Sequence, residues 1–90
     1  MAIGSEARRH QRQPVVEAAF PTGDVEPALD VLALMDLAWH DCYEKVEPPP
    51  AVIADVLLLA GGDIRALAQL ALAAVIDFRD VRVAADAKRA

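Results

Sequence analysis

The chain has 90 residues, of which 56% are hydrophobic, and its formal net charge at pH 7 is −5. This length suits one domain with a small core, and the single cysteine, Cys42, excludes an internal disulfide and fits a reducing compartment. Residues 1–23, 24–63 and 64–90 carry net charges of +1, −8 and +2. The acidic middle argues against nucleic-acid binding, which requires a basic face.

No segment of the sequence indicates a membrane or an export route. The longest nearly uncharged run, residues 66–76, is much shorter than the roughly 20 residues that span a bilayer. The N-terminus lacks the apolar core of a secretory signal peptide. We therefore expect a soluble cytoplasmic protein without a membrane partner.

The first 23 residues are predicted to form a flexible tail in front of a single helical domain, residues 24–90. Residues 1–13 show no apolar periodicity, which is typical of a mobile segment. Residues 14–20 (PVVEAAF) are a short apolar patch that we expect to dock loosely on the domain or to form a strap.

The first predicted helix spans about 25–46. Asp24 is a suitable N-cap, and the prolines at 48–50 require the helix to stop before them. At about 100° per residue, the sequence divides into an apolar and a polar face. The apolar face consists of Val25, Ala28, Leu29, Val31, Leu32, Met35, Ala38, Trp39, Cys42, Tyr43 and Val46. The polar face carries Glu26, Asp30, Asp36, His40, Asp41 and Glu44, and it also includes Leu34 and Leu37.

The second predicted helix spans about 49–60 and the third about 64–86. Two prolines suit the first turn of the second helix, and the Gly61–Gly62 pair suits its end. Asp63 is the predicted N-cap of the third helix. The sequence therefore predicts an all-α fold, a small three-helix bundle with a mobile or loosely docked N-terminal segment.

The third predicted helix is apolar on two faces. One face is large enough to build the core, and the second consists of Leu72, Ile76 and Val83. In a bundle of three helices, we expect this second face to meet another copy. Arg79 and Arg82, on the same helix, are predicted to form salt links with carboxylates of this chain or of a neighbour.

The spacing of Asp36, His40 and Glu44 makes them weak candidates for a metal site or an acid/base pair. Side chains at i, i+4 and i+8 climb one side of a helix, and a histidine flanked by carboxylates can bind a divalent metal. The alternative is a solvated acidic face, which we favour because no further ligand completes the site. We therefore predict no metal, no other cofactor and no evident catalytic site, and Cys42 is interpreted as a core residue.

Residues 51–76 place a short glycine turn between two helices, as a helix-turn-helix does. The helix after the turn offers only Arg65 and Gln69 for reading DNA. A transcription-related regulator therefore stays an alternative, either through this motif or through the acidic surface, which would compete for a basic partner.

The leading hypothesis is a small helical module for protein–protein interaction or oligomerisation. Its expected partner is a second copy, as a homodimer, or another protein, and nucleic acid is not expected. The predicted interface residues are Leu34, Leu37, Leu72, Ile76, Arg79, Arg82 and Val83.

Overall fold

The computed structural model describes residues 5–90. Within this part of the chain there are four α-helices and no strand. The helices are α1 (Ser5–Ala19), α2 (Val25–Tyr43), α3 (Pro50–Ala60) and α4 (Ile64–Arg89), with a 3₁₀ turn at Thr22–Asp24. The all-α prediction is confirmed. The prediction of a three-helix bundle is wrong, because a fourth helix precedes the three expected ones.

The additional helix, α1, forms from the segment predicted to be a mobile or loosely docked tail. Residues 1–4 of that predicted tail lie outside the described residues. From Ser5 onward the segment is helical, and Val16 and Phe20 near its end are 0% and 5% exposed. Because these two side chains belong to the hydrophobic core, α1 is part of the fold. The separation of residues 24–90 as a domain of its own stays a prediction.

α2 ends at Tyr43, three residues before the predicted end. Glu44 adopts a left-handed backbone (φ 58°, ψ 28°), and its N–H donates to the His40 carbonyl at 2.8 Å. Such a residue is a common way to close a helix, although glycine is the usual choice. At the other end, Asp24 occupies the N-cap position as predicted, but its side chain makes no capping hydrogen bond. Asp24 also ends the 3₁₀ turn, where its N–H donates to the Pro21 carbonyl.

α3 and α4 follow the predicted boundaries closely. The chain turns between them through Gly61 and Gly62, whose φ angles are 57° and 82°. Asp63 then caps α4 as predicted, because its Oδ1 accepts from two N–H groups of the first turn at 2.9 and 3.2 Å. A Cβ at Gly62 would lie 2.9 Å from the Ala19 carbonyl oxygen, so this turn packs closely against the end of α1.

α4 is interrupted at Asp77, whose backbone is extended (φ −154°, ψ 93°). The Asp77 Oδ1 accepts the N–H of Arg79 at 3.1 Å, as the side chain of an N-cap residue does. α4 therefore consists of a first segment, 64–76, and a second segment, 78–89, rather than one straight helix.

The hydrophobic core gathers side chains from all four helices. Val16 of α1, Leu32 of α2, Val56 of α3 and Leu67 of α4 are fully buried. Burying a side chain of this size contributes about 1.5–3 kcal/mol relative to leaving it in water. The inner faces of α2 and α4 are thus used by the core, and their outer faces remain at the surface.

Candidate functional site

A cluster of four charged side chains lies between α1 and α2. The two terminal nitrogens of the Arg12 guanidinium donate to the two carboxylate oxygens of Asp36, Nη1 to Oδ2 at 2.8 Å and Nη2 to Oδ1 at 2.9 Å. Arg8 Nε donates to the same Oδ2 at 3.1 Å. Glu47 Oε2 lies 3.3 Å from Arg8 Nε and 3.6 Å from Arg12 Nη2. The Asp36 side chain is only 4% exposed and both arginines are nearly buried, whereas Glu47 lies at the edge of the cluster and is 43% exposed. The opposite charges in this cluster compensate one another.

Arg9 forms a second link between α1 and α2, at the surface. Its Nη1 donates to Asp30 Oδ1 at 2.9 Å and its Nη2 to Glu26 Oε1 at 3.1 Å. The hydrogen bonds that Arg9 donates to Glu26 and Asp30 raise the pKa of Arg9 above its usual value. This side chain therefore stays positively charged and partly neutralises the acidic surface of α2.

The candidate metal residues Asp36, His40 and Glu44 do not come together. The prediction that Asp36 lies on the outer polar face is wrong, because α1 covers this edge of α2 and pairs the carboxylate with two arginines. His40 is exposed, and Glu44 lies beyond the end of the helix. Residues 5–90 contain no group of three His, Cys, Asp or Glu side chains arranged to hold a metal ion.

The aromatic side chains meet between α2 and α4. The Trp39 ring lies 4.3 Å from that of Tyr43 and 5.7 Å from that of Phe78, between ring centres. Trp39 is buried as predicted, and Tyr43 is half-buried. The prediction that Cys42 is a core residue is wrong, because its side chain is exposed.

Tyr43 also compensates for the interruption of α4. In a regular helix the Arg79 N–H would donate to the Val75 carbonyl. Here that N–H donates to Asp77, and the Tyr43 hydroxyl donates to the Val75 carbonyl at 2.8 Å. This hydrogen bond fixes the end of α2 to the point where α4 changes direction.

A cleft of about 390 Å³ separates the start of α3 from the second segment of α4. Arg79, Arg82 and Val83, three of the predicted interface residues, line it together with apolar side chains. A wider cleft of about 500 Å³ lies beside it, between the aromatic side chains of α2 and the prolines at 48–50.

The arginines of the second α4 segment pair with nearby carboxylates of α3 and α4. Asp55, which is 1% exposed, places Oδ1 2.8 Å from Arg89 Nη2 and Oδ2 3.9 Å from Arg82 Nη1. Asp86 lies 3.5 Å from Arg82 and 3.3 Å from Arg89. Asp55 Oδ1 accepts no hydrogen bond of good angle, so the Arg89 contact is an ion pair rather than a directed bond. Arg79 lies 3.4 Å from Asp77.

Large apolar side chains stand at the surface on the outer faces of α2 and α4. Leu34 and Leu37 of α2 are 66% and 51% exposed, and Leu72, Ile76 and Val83 of α4 are 63%, 73% and 69% exposed. All five are among the predicted interface residues. Their exposure makes them available for contact, and the contact itself stays a prediction.

The helix-turn-helix alternative corresponds to α3, the glycine turn and the first segment of α4. Arg65 and Gln69 are exposed there as this alternative requires, but Leu72 and Ile76 stand beside them on the same outer face. A DNA-reading role through this face stays a hypothesis.

No protein-family model matches this chain, and no significant match is found among curated proteins or solved structures. The chemistry of the site therefore rests on its own residues.

None of the helices in the described residues has the length and apolar character needed to cross a membrane.

The charge cluster that Arg8, Arg12 and Glu47 form with Asp36 was not predicted from the sequence. A signal was present, because Arg8, Arg12, Val16 and Phe20 follow one another at intervals of four and share one face of a helix. That face begins with charge and ends with apolar side chains. Apolar periodicity detects only Val16 and Phe20, because the two arginines before them count as polar.

Proposed function

We propose that this protein is a self-association module that acts through the outer faces of α2 and α4. The observation that carries the proposal is the exposure of Leu34, Leu37, Leu72 and Ile76, each at least half accessible to solvent. Single exposed leucines are common on monomers, but two pairs at helical spacing are better explained by contact with another surface.

The core does not need these four side chains. The inner faces of α2 and α4 already meet the core through side chains such as Leu32 and Leu67, both fully buried. Moving Leu72 or Ile76 inward would require α4 to rotate by about half a turn and would expose Leu67. Apolar area at this position is removed from water most simply by association.

The charged groups of the interior support binding rather than chemistry. Asp36 is held by two arginines and Asp55 by Arg89, so both buried carboxylates serve to join helices. The expected compartment is the cytoplasm, where Cys42, which is exposed, would stay reduced.

The test is the molar mass in solution, measured by size-exclusion chromatography with light scattering over a series of protein concentrations. The wild type is compared with a Leu72→Glu/Ile76→Glu double variant. Val15→Glu is the matched control, because Val15 is 55% exposed but lies on α1, outside the proposed surface.

We expect the wild type and Val15→Glu to gain mass with concentration, and the double variant to stay monomeric with unchanged helicity. A wild type that is monomeric throughout the series would contradict the proposal. Loss of helicity in the double variant would also contradict it, because Leu72 and Ile76 would then belong to the core.

A further inference from the structure

Two surface stripes on different helices have the same residue spacing. The α2 stripe consists of Asp30, Leu34, Leu37 and Asp41, and the α4 stripe consists of Arg65, Gln69, Leu72 and Ile76. In each stripe the later residues follow the first by 4, 7 and 11 positions. On a regular helix such residues lie within about 60° of one another, in a line along one side.

Every residue of both stripes is exposed. The α4 stripe ends at Ile76, before the interruption at Asp77, so it lies on a continuous helical segment. The α2 stripe lies within α2, whose regular turns extend to Tyr43. Each stripe is therefore a straight ridge that another helix can pack against, as in side-by-side helix pairs.

The charges of the two stripes are complementary. The α2 stripe has an aspartate at each end and two leucines between them, whereas the α4 stripe begins with Arg65 and contains no acid. If the two helices run parallel, Arg65 lies opposite Asp30. If they run antiparallel, Arg65 lies opposite Asp41.

Pairing two α2 stripes would bring four aspartates together. Asp30 is partly neutralised by Arg9 at 2.9 Å, but Asp41 would still face a like charge, which is unfavourable. Pairing two α4 stripes would avoid this repulsion but would leave Leu34 and Leu37 in water. Contact between an α2 stripe and an α4 stripe opposes unlike charges, and it covers all four apolar side chains of a copy when that copy uses both of its stripes.

The stripes cannot meet within one molecule. Both helices turn their opposite faces toward the shared core, through Leu32 and Trp39 on α2 and through Leu67 and Ala74 on α4. The partner that carries a matching stripe is therefore a second copy of the chain.

We infer that copies of this protein associate by packing the α2 stripe of one copy against the α4 stripe of another. This inference rests on the proposed self-association and specifies its two surfaces. It is a heterologous contact, in which each partner contributes a different surface.

The experiment uses two variants that each lose one stripe. Leu34→Gln/Leu37→Gln removes the apolar part of the α2 stripe, and Leu72→Gln/Ile76→Gln removes that of the α4 stripe. Glutamine is chosen because it adds no charge to either surface. Each variant is measured alone and in an equimolar mixture by native mass spectrometry, with one variant labelled with ¹⁵N and with helicity checked by circular dichroism.

We expect each variant to be monomeric alone and the mixture to form a heterodimer that contains one labelled and one unlabelled chain. This outcome follows because the mixture restores one intact stripe of each kind. The heterodimer should be at least tenfold more abundant than either homodimer.

Two results would overturn the inference while leaving self-association intact. One is self-association of either variant alone, which would show that a single kind of stripe pairs with itself. The other is a monomeric mixture under conditions where the wild type associates. A wild type that does not associate would instead contradict the proposed function itself.

Discussion

α1 and α3 each lie against a longer helix, but different chemistry holds them there. α1 is attached to α2 by Arg8 and Arg12, which bind the buried Asp36, and its apolar contribution is concentrated near its end. α3 is attached to α4 mainly by buried apolar side chains, among them Val52 and Val56, and the buried Asp55 adds an ion pair with Arg89. The comparison teaches that a helix can belong to a fold without showing an apolar face along its length.

The two attachments respond differently to substitution. Removing one member of a buried charge cluster leaves the opposite charges without compensation in a medium that solvates them poorly. Removing part of an apolar side chain costs the lost burial plus the cavity that remains. Substitutions in the charge cluster and in the apolar core should therefore differ in size and in how far the damage spreads.

The largest effect is expected for Asp36→Asn. In this variant Arg8 and Arg12 lose the buried negative charge that they share, and the other carboxylate of the cluster, Glu47, is 43% exposed. We expect a loss of about 3–5 kcal/mol in the free energy of unfolding, measured by urea denaturation. Asp30→Asn is the control, because it breaks an exposed pair with Arg9 and should cost about 0.2–1 kcal/mol.

The same pair of variants shows whether the damage is local. In Asp36→Asn, hydrogen exchange at the amides of α1 should accelerate more than exchange in α3 and in the first segment of α4. Equal costs for Asp36→Asn and Asp30→Asn, or uniform acceleration across all helices, would mean that the charge cluster does not hold α1.

Leu67→Ala is expected to have the next largest effect. Leu67 is 0% exposed, and truncating a buried leucine to alanine costs about 2–5 kcal/mol. Leu72→Ala on the outer face is the control and, at a protein concentration low enough for the monomer to predominate, should change the free energy of unfolding by about 0.5 kcal/mol or less. Similar losses for both variants would contradict the assignment of inner and outer faces to α4.

Arg65→Glu tests whether the charge of Arg65 contributes to the contact between the α4 stripe and the α2 stripe. It replaces an attraction to the α2 stripe of another copy with a repulsion, and each such term is worth up to about 1 kcal/mol at a surface. We expect the dissociation constant for self-association to rise about tenfold, measured by sedimentation equilibrium. Arg79→Glu, on the second segment of α4 and outside the stripe, should change it less.

The smallest effect is a gain in stability. Glu44 has φ 58°, which costs a side chain about 1 kcal/mol relative to glycine. Glu44→Gly should therefore raise the free energy of unfolding by about 0.5–1 kcal/mol in thermal or urea denaturation. Lys45→Gly serves as the control, because Lys45 does not have a positive φ and gains nothing from glycine.

The sequence predicted the parts of the fold that depend on apolar pattern and strong caps. α3 and the start of α4 were predictable, because prolines, the glycine pair and Asp63 mark their ends. The end of α2 was not, because Glu44 carries no signature of a left-handed residue and the prolines that exclude a helix come four positions later. The interruption at Asp77 was missed because an aspartate within a charged helix is also a common surface residue.

α1 was missed because its inward face is partly ionic. Arg8 and Arg12 count as polar in any apolar pattern, and Asp36, the buried carboxylate that binds both of them, is distant in sequence. The charge imbalance between the N-terminal segment and the acidic middle of the chain pointed to this attraction, but it did not identify the pairs. The surface leucines and Ile76, in contrast, follow directly from helical spacing.

The central claim is that the outer faces of α2 and α4 meet between copies, and a dilution series followed by NMR tests it most directly. Backbone ¹H–¹⁵N spectra of the wild type would be recorded from high to low protein concentration. The account predicts that concentration-dependent shifts cluster at residues 30–41 and 65–76 and are small in α1. Spectra that do not change with concentration, or shifts confined to α1 or to the clefts beside α3, would contradict it.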